Sequence, residues 1–306
     1  MKIGIIGAGG VGGFFGAKLA KAGNNVTFLQ RGEHLVAMQK SGLRVESKLG
    51  GVHLPQVRAT DDPTDVGIMD MVLVTVKSGQ TEEAGRLAKP LLGPSTGVIS
   101  LQNGVENEVR LEKVIGSGHV MGGVAYILSL IKSPGLIQQS GPMARLEFGE
   151  LDGTRSDRAV AFLKACDDAS IEATLSEDVL KTIWKKFVFL CPHNGTTGLT
   201  RSSIGAIRED PDCRKLLEGA VGELLLLAKA KDIWVDLKGV GEVMDMYDNM
   251  PYEMTSSMHY DVMNGKPLEL EWLNGAVVRL AREVGIETPL NGFIYAALKL
   301  LSDGVE

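Results

Sequence analysis

The sequence predicts an α/β protein with an N-terminal Rossmann-type doubly wound parallel sheet and a C-terminal all-helical domain. Three observations carry this. In the first half, short and nearly continuous apolar runs alternate with amphipathic stretches, the pattern of parallel strands covered on both faces by helices. A glycine-rich turn joins the first apolar run to the first helical pattern, and from about Ser176 onward strand-like runs almost disappear. A chain of 306 residues and 32.7 kDa is long enough for two domains with separate cores, expected at 1–177 and 178–306.

The elements follow in order. Lys2 to Ile6, Asn25 to Leu29, Met71 to Val76 and Val98 to Leu101 read as buried parallel strands. Phe14 to Ala22, Glu33 to Lys40 and Thr81 to Leu92 carry helical spacing between them. Val120 to Ile131, Leu136 to Gln139 and Ala144 to Phe148 read as strands joined by turns at Pro134, Gly135 and Pro142, an antiparallel extension of the same sheet. A helix over Arg158 to Ala169 and a strand over Ile171 to Thr174 complete this half. Ser176 then reads as an N-cap, with Glu177 and Asp178 in the first turn and an apolar run through Trp184, Phe187 and Leu190. Arg214 to Lys231, Gly239 to Tyr247 and Leu268 to Val284 continue as helices, Gly285 stops the last of these, and Pro289 opens a final one.

Composition narrows the function classes. Hydrophobic residues at 44% and charged residues at 23% are ordinary for a packed globular chain. The balance of 32 Lys+Arg against 38 Asp+Glu gives a net charge of -6, the wrong sign for a nucleic-acid footprint. Cys166, Cys191 and Cys213 are odd in number and lack CxxC spacing, so neither a disulfide framework nor a metal site is expected and a reducing, cytoplasmic setting fits. The uncharged run from Ile3 to Ala17 superficially copies a signal peptide, and Val114 to Ile131 approaches the length of a membrane span; glycines interrupt both, so neither a leader nor a membrane partner is expected.

The strongest local signal is Gly7, Gly9 and Gly12 in the spacing G-x-G-x-x-G, after a predicted strand and at the opening of a helix. Such glycines permit a tight turn, close backbone approach to a pyrophosphate and close packing of helix on strand, while the helix N-terminus offers free N–H groups. The segment Gly7, Ala8, Gly9, Gly10, Val11, Gly12 is therefore expected to bind a dinucleotide. At the end of the second strand, where an NAD-binding chain places a carboxylate for the ribose 2′-hydroxyl, this sequence reads Leu29, Gln30, Arg31. Arg31 can pair with a 2′-phosphate through a charge-assisted fork, which favours NADP(H) over NAD. Lys77 and Asn103 follow the third and fourth strands, at the carboxyl ends where open α/β sheets bind ligands.

Taken together, Gly7 to Gly12, Arg31, Thr75-Val76-Lys77, Leu101 to Asn107, Trp184 to Lys186, and Ser256-Ser257-Met258 with Asp261, Gly265 and Glu269 resemble ketopantoate reductases over nearly the whole chain. The resemblance implies a 2-dehydropantoate 2-reductase that reduces a branched 2-keto acid with NADPH during pantothenate synthesis. It implies Lys186 as proton donor, Glu269 as the carboxylate beside that lysine, Ser257 as the group holding the substrate carboxylate, Asn194 as an amide on the substrate, and Asn103 beside nicotinamide and substrate. The residues are compatible with this: a lysine in an apolar helical stretch is partly desolvated, which lowers its pKa and suits general acid work. Asn194 lies eight positions beyond Lys186, a little over two helical turns. His193 and His259 fall on no motif position and are assigned no role. A homodimer is left open.

Two departures stand out. Where many relatives of the resembled family carry asparagine, this sequence has Leu190, midway between Lys186 and Asn194, and Met254, three positions before Ser257. Loss of two hydrogen bonds in a pocket made for a hydroxylated substrate would favour a more apolar one. The alternatives are thus an NADPH-dependent reductase of another, more apolar 2-keto acid, or a catalytically inactive NADP(H)-sensing protein.

Overall fold

A computed structural model describes residues 1–304; Val305 and Glu306, the last two of the expected 178–306 domain, lie outside the described residues. The chain forms two compact units, one made of Met1–Gln102 and Asn107–Val179, the other of Asn103–Glu106 and the residues from Leu180 onward. The short Asn103–Glu106 segment therefore belongs with residues that follow it by about eighty positions.

The first unit runs β1 (Lys2–Ile6), α1 (Gly10–Lys21), β2 (Asn25–Leu29), α2 (Gly32–Ser41), β3 (Leu43–Glu46), β4 (Val52–Leu54), β5 (Arg58–Thr60), β6 (Met69–Val74), α3 (Thr81–Ala88), β7 (Leu92–Ser100), α4 (Asn107–Ile115), β8 (Val120–Ser133), β9 (Leu136–Glu150), α5 (Asp157–Asp168) and β10 (Glu172–Leu175). The strands form one sheet in the order β4-β3-β9-β8-β7-β6-β1-β2-β5, with β10 also on β9. The strands from β5 to β8 along this order pair in parallel, and β9 runs antiparallel to β8. Alternate residues of β6 serve opposite faces: Met71 and Leu73 pack with Phe14, Phe15 and Phe162, whereas Val72 and Val74 pack with Ala84, Ala88 and Leu111. Burial on both faces is why these strands read as unbroken apolar runs.

Three strands escaped the sequence reading. β3, β4 and β5 have only three or four residues each and lie toward the two edges of the sheet, too short for a periodic signal. The two expected strands Leu136 to Gln139 and Ala144 to Phe148 are one strand, β9, with Gly141–Met143 bulging between the pairs Leu128↔Ser140 and Ile127↔Ala144. Gly141 at φ 81° and Pro142, which has no N–H for the ladder, suit a bulge. The amide of Gln139 ties it by donating to the carbonyls of Ser140, Gly141 and Met143.

The second unit is helical: α6 (Val179–Thr200), α7 (Ile204–Glu209), α8 (Pro211–Ala230), α9 (Val240–Asp248), α10 (Ser257–Met263), α11 (Asn274–Glu283) and α12 (Pro289–Leu298). Its core joins Trp184, Phe187 and Val188 of α6 to Leu217 and Leu224 of α8, Tyr247 of α9, Val277 of α11 and Ile294 of α12. The helix expected over Leu268 to Val284 is instead a single turn at Leu270–Trp272 followed by α11, because Leu273 adopts a non-helical backbone with ψ -97°. That break delivers Asn274 to a buried hydrogen bond with Asn291. Among the described residues, no helix is long and apolar enough to cross a membrane.

Candidate active site

The glycine-rich turn is built by a division of labour. Gly7 has φ 94°, and a Cβ there would lie 2.7 Å from a Val76 methyl. A Cβ on Gly12 would lie 2.3 Å from both the Gly7 carbonyl oxygen and Thr75 Oγ1, and one on Gly10 would lie 2.3 Å from the Ser129 carbonyl oxygen of β8. These positions admit only glycine because backbone or strand passes close by. Gly9 is different: a Cβ there would meet nothing within 4 Å. It is the N-cap of α1, no side chain caps that helix, and no acidic residue stands in its first turn. Open space, first-turn N–H groups and a positive helix end fit the pyrophosphate of a dinucleotide. Ala8 is fully buried and its N–H is already engaged, donating to Gln30 Oε1 at 2.9 Å, so of the expected binding segment it serves the turn itself. Val11 packs against the core beneath.

Residues outside the motif hold the turn in place, through contacts so distant along the chain that the sequence does not reveal them. Thr75 Oγ1 donates to the Gly7 carbonyl at 2.6 Å. Gln30, at the position where a carboxylate would accept from a ribose hydroxyl, is neutral and turns its carbonyl to Ala8 N–H. Arg31 is exposed, and Glu83 of α3 reaches it, Oε1 to Nη1 at 3.2 Å. The end of β2 itself, Leu29-Gln30-Arg31, brings no carboxylate, but the fold brings one to Arg31 from Glu83. Lys77 is exposed just beyond β6 and opens a single turn over Ser78–Gln80. That turn rests on buried groups: Arg110 and Thr81 both donate to the Ser78 carbonyl, at 2.7 and 2.9 Å, and Gln102 donates to Thr81 Oγ1.

In the helical unit, Lys186 projects from α6 between buried Trp184 and Phe187 and is itself half-buried. Its Nζ donates to Asn103 Oδ1 at 3.0 Å. Burial pulls its pKa down to about 8, a shift that the negative charge of Glu269 partly opposes. Of the expected residues, the structure thus joins Lys186 to Asn103 by a hydrogen bond and sets Glu269 within electrostatic reach of that lysine. Asn103 is set by the turn at Gly104, φ 108°, and by the rest of its segment: Val105 packs against the helical core and Glu106 accepts from Arg279 Nη2 at 2.8 Å. Arg279 also pairs with Glu271.

Asn194 and Ser257 form a second pairing. Asn194 is buried, and its Oδ1 accepts from Ser257 Oγ at 3.0 Å and from Met258 N–H at 3.1 Å, while its Nδ2 donates to the Leu190 carbonyl at 2.8 Å. Its first task is therefore to fasten the start of α10 to α6. Ser256 is the N-cap, accepting from His259 N–H at 3.0 Å, which leaves the exposed Ser257 hydroxyl beside the Asn194 amide. Leu190 and Met254 are both half-buried and pack against the helical core. His193 is buried among Phe189 and Tyr247, and burial lowers its pKa to about 4, so it is neutral at physiological pH and is no ammonium-like acid.

Two family models match this chain, one described as Ketopantoate reductase PanE/ApbA over residues 3–153 and one as Ketopantoate reductase PanE/ApbA C terminal over residues 178–302. By sequence, the chain is similar to the uncharacterized oxidoreductase YkpB of Bacillus subtilis, at 29% identity over 301 residues and 98% of each chain. It is also similar to a 2-dehydropantoate 2-reductase of Mesorhizobium japonicum, at 32% identity over 329 residues, covering 99% of this chain and 98% of the relative. Among solved structures, a 2-dehydropantoate 2-reductase from Geobacter metallireducens aligns with a TM-score of 0.91 at 29% identity, covering 98% of this chain and 99% of that one.

Proposed function

Because this chain belongs to the ketopantoate reductase family of oxidoreductases, we propose that it is an NADPH-dependent 2-dehydropantoate 2-reductase, reducing ketopantoate to pantoate in cytoplasmic pantothenate synthesis. The observation that carries the reading is the half-buried Lys186, its Nζ on Asn103 Oδ1 and its pKa pulled to about 8. NADPH, when bound, supplies the hydride that reaches the ketone carbon. Lys186 gives the proton to the ketone oxygen as negative charge develops there; a pKa near 8 keeps it charged at neutral pH yet ready to release. Asn103 fixes the position of the ammonium, and Glu269 favours its charged form before transfer. Ser257, whose hydroxyl donates to Asn194 Oδ1 in the substrate-free protein, turns that hydroxyl to donate to the substrate carboxylate. Gly7 to Gly12 cradle the pyrophosphate, Arg31 takes the 2′-phosphate, and Lys77 contributes positive charge at the strand end.

The test is NADPH oxidation followed by absorbance, with ketopantoate beside NADH and a panel of straight and branched 2-keto acids. Turnover selective for ketopantoate and NADPH is the expected result. Leu190 and Met254 support a second reading, reduction of a more apolar 2-keto acid, and turnover confined to such a substrate would replace the first. Tight NADPH binding without turnover on any keto acid would instead make the protein a sensor.

A further inference from the structure

We propose that Glu83 sets the coenzyme preference of this protein by competing with the 2′-phosphate for Arg31; the inference rests on the reading of Arg31 as the 2′-phosphate partner. Arg31 follows the carboxyl end of β2 and is the residue from which α2 starts. Glu83 lies in the first turn of α3, 52 positions away, and its Oε1 stands 3.2 Å from Arg31 Nη1. The neighbouring acid is not an equivalent rival, because Glu82 is held by both Nε and Nη2 of Arg110, at 2.7 and 2.6 Å. Arg110 side-chain exposure is 9%, whereas the Arg31 and Glu83 side chains are 66% and 46% exposed. The Arg31–Glu83 pair is therefore water-screened, weak and exchangeable.

Exchange has a direction. A 2′-phosphate offers Arg31 about two negative charges and a bidentate oxygen edge, against one charge and a single contact from Glu83. After exchange, the Glu83 carboxylate is left beside the phosphate and repels it. Adenosine lacking that phosphate displaces no partner of Arg31 and meets no such repulsion. Glu83 thus lowers affinity for the 2′-phosphorylated coenzyme alone, and Gln30, whose carbonyl is turned to Ala8 N–H, gives no compensating preference for a free ribose hydroxyl.

The experiment titrates the full chain with 2′,5′-ADP and with 5′-AMP by calorimetry at low ionic strength, comparing wild type, Glu83→Gln and Arg31→Ala. Both side chains are exposed, so neither change threatens the fold. The expected result is that Glu83→Gln tightens 2′,5′-ADP by about three- to tenfold, the scale of one screened charge contact, and leaves 5′-AMP within about twofold. The ratio of kcat/KM for NADPH over NADH rises by the same factor. Equal tightening of both ligands, or no change in either while Arg31→Ala selectively weakens 2′,5′-ADP, overturns the role of Glu83 and leaves the Arg31 reading intact. An Arg31→Ala variant that does not discriminate between the two ligands removes both together.

Discussion

At the scale of single residues, the proposed reduction turns on one proton. Burial penalises the Lys186 ammonium and pulls its pKa down to about 8, and the reduction we propose draws its proton from that ammonium. The donor form is present below that pKa and lost above it, so kcat for ketone reduction is expected to fall as pH rises through about 8. Lys186→Ala should lower kcat by about 10²- to 10⁴-fold while leaving NADPH affinity nearly unchanged, as stopped-flow turnover and fluorescence titration would read. An unchanged kcat would remove the proton donor. Lys186 and Glu269 were accessible from sequence only as members of a motif set, since nothing local distinguishes Lys186 from its neighbour Lys185. The meeting of Lys186 with Asn103 depends on a contact across 83 positions. Asn194 shows a different limit: the sequence places it near the site, and the structure shows its amide already spent on Ser257, Met258 N–H and the Leu190 carbonyl.

At the scale of elements, the turn from β1 to α1 separates glycines that pack from the one that leaves room. Gly12→Ala puts a methyl 2.3 Å from the Gly7 carbonyl and Thr75 Oγ1, and is expected to cost about 1–3 kcal/mol of stability as well as coenzyme binding. Gly9→Ala meets nothing within 4 Å, so thermal melting should hold while NADPH affinity falls. Equal losses of stability in the two variants would contradict this division. The Asn103–Glu106 segment gives a second element-level expectation. Arg279→Ala frees Glu106 from a 2.8 Å contact, and Asn103, three residues away, loses one of the anchors of its segment. Turnover should drop by about tenfold with secondary structure intact by circular dichroism. The main strands and helices were legible because two-sided burial and helical spacing leave strong signals. β3, β4 and β5 were not, being short and near the edges; the sequence divides β9 in two because a bulge and a turn use the same Gly-Pro chemistry.

At the scale of the whole molecule, each unit has its own core and carries its own set of candidate residues. The sheet unit, with apolar residues on both faces, fixes the glycine turn, Arg31 and Lys77 at strand ends. The helical unit holds Lys186, Asn103, Glu269, Asn194 and Ser257 around α6 and α10. A Rossmann-type fold followed by helices was readable from patterning alone, whereas membership of Asn103 in the helical unit was not, because its neighbours Leu101 and Gln102 read as a strand end. In the proposed reading, the choice between ketopantoate and a more apolar keto acid turns on Leu190 and Met254, which pack against the helical core. The most direct measurement is initial-rate NADPH oxidation by the purified full chain with ketopantoate, run beside the Lys186→Ala variant. The account predicts saturable, NADPH-preferring turnover that is lost in the variant; NADPH binding with no oxidation on ketopantoate or any other 2-keto acid would contradict it.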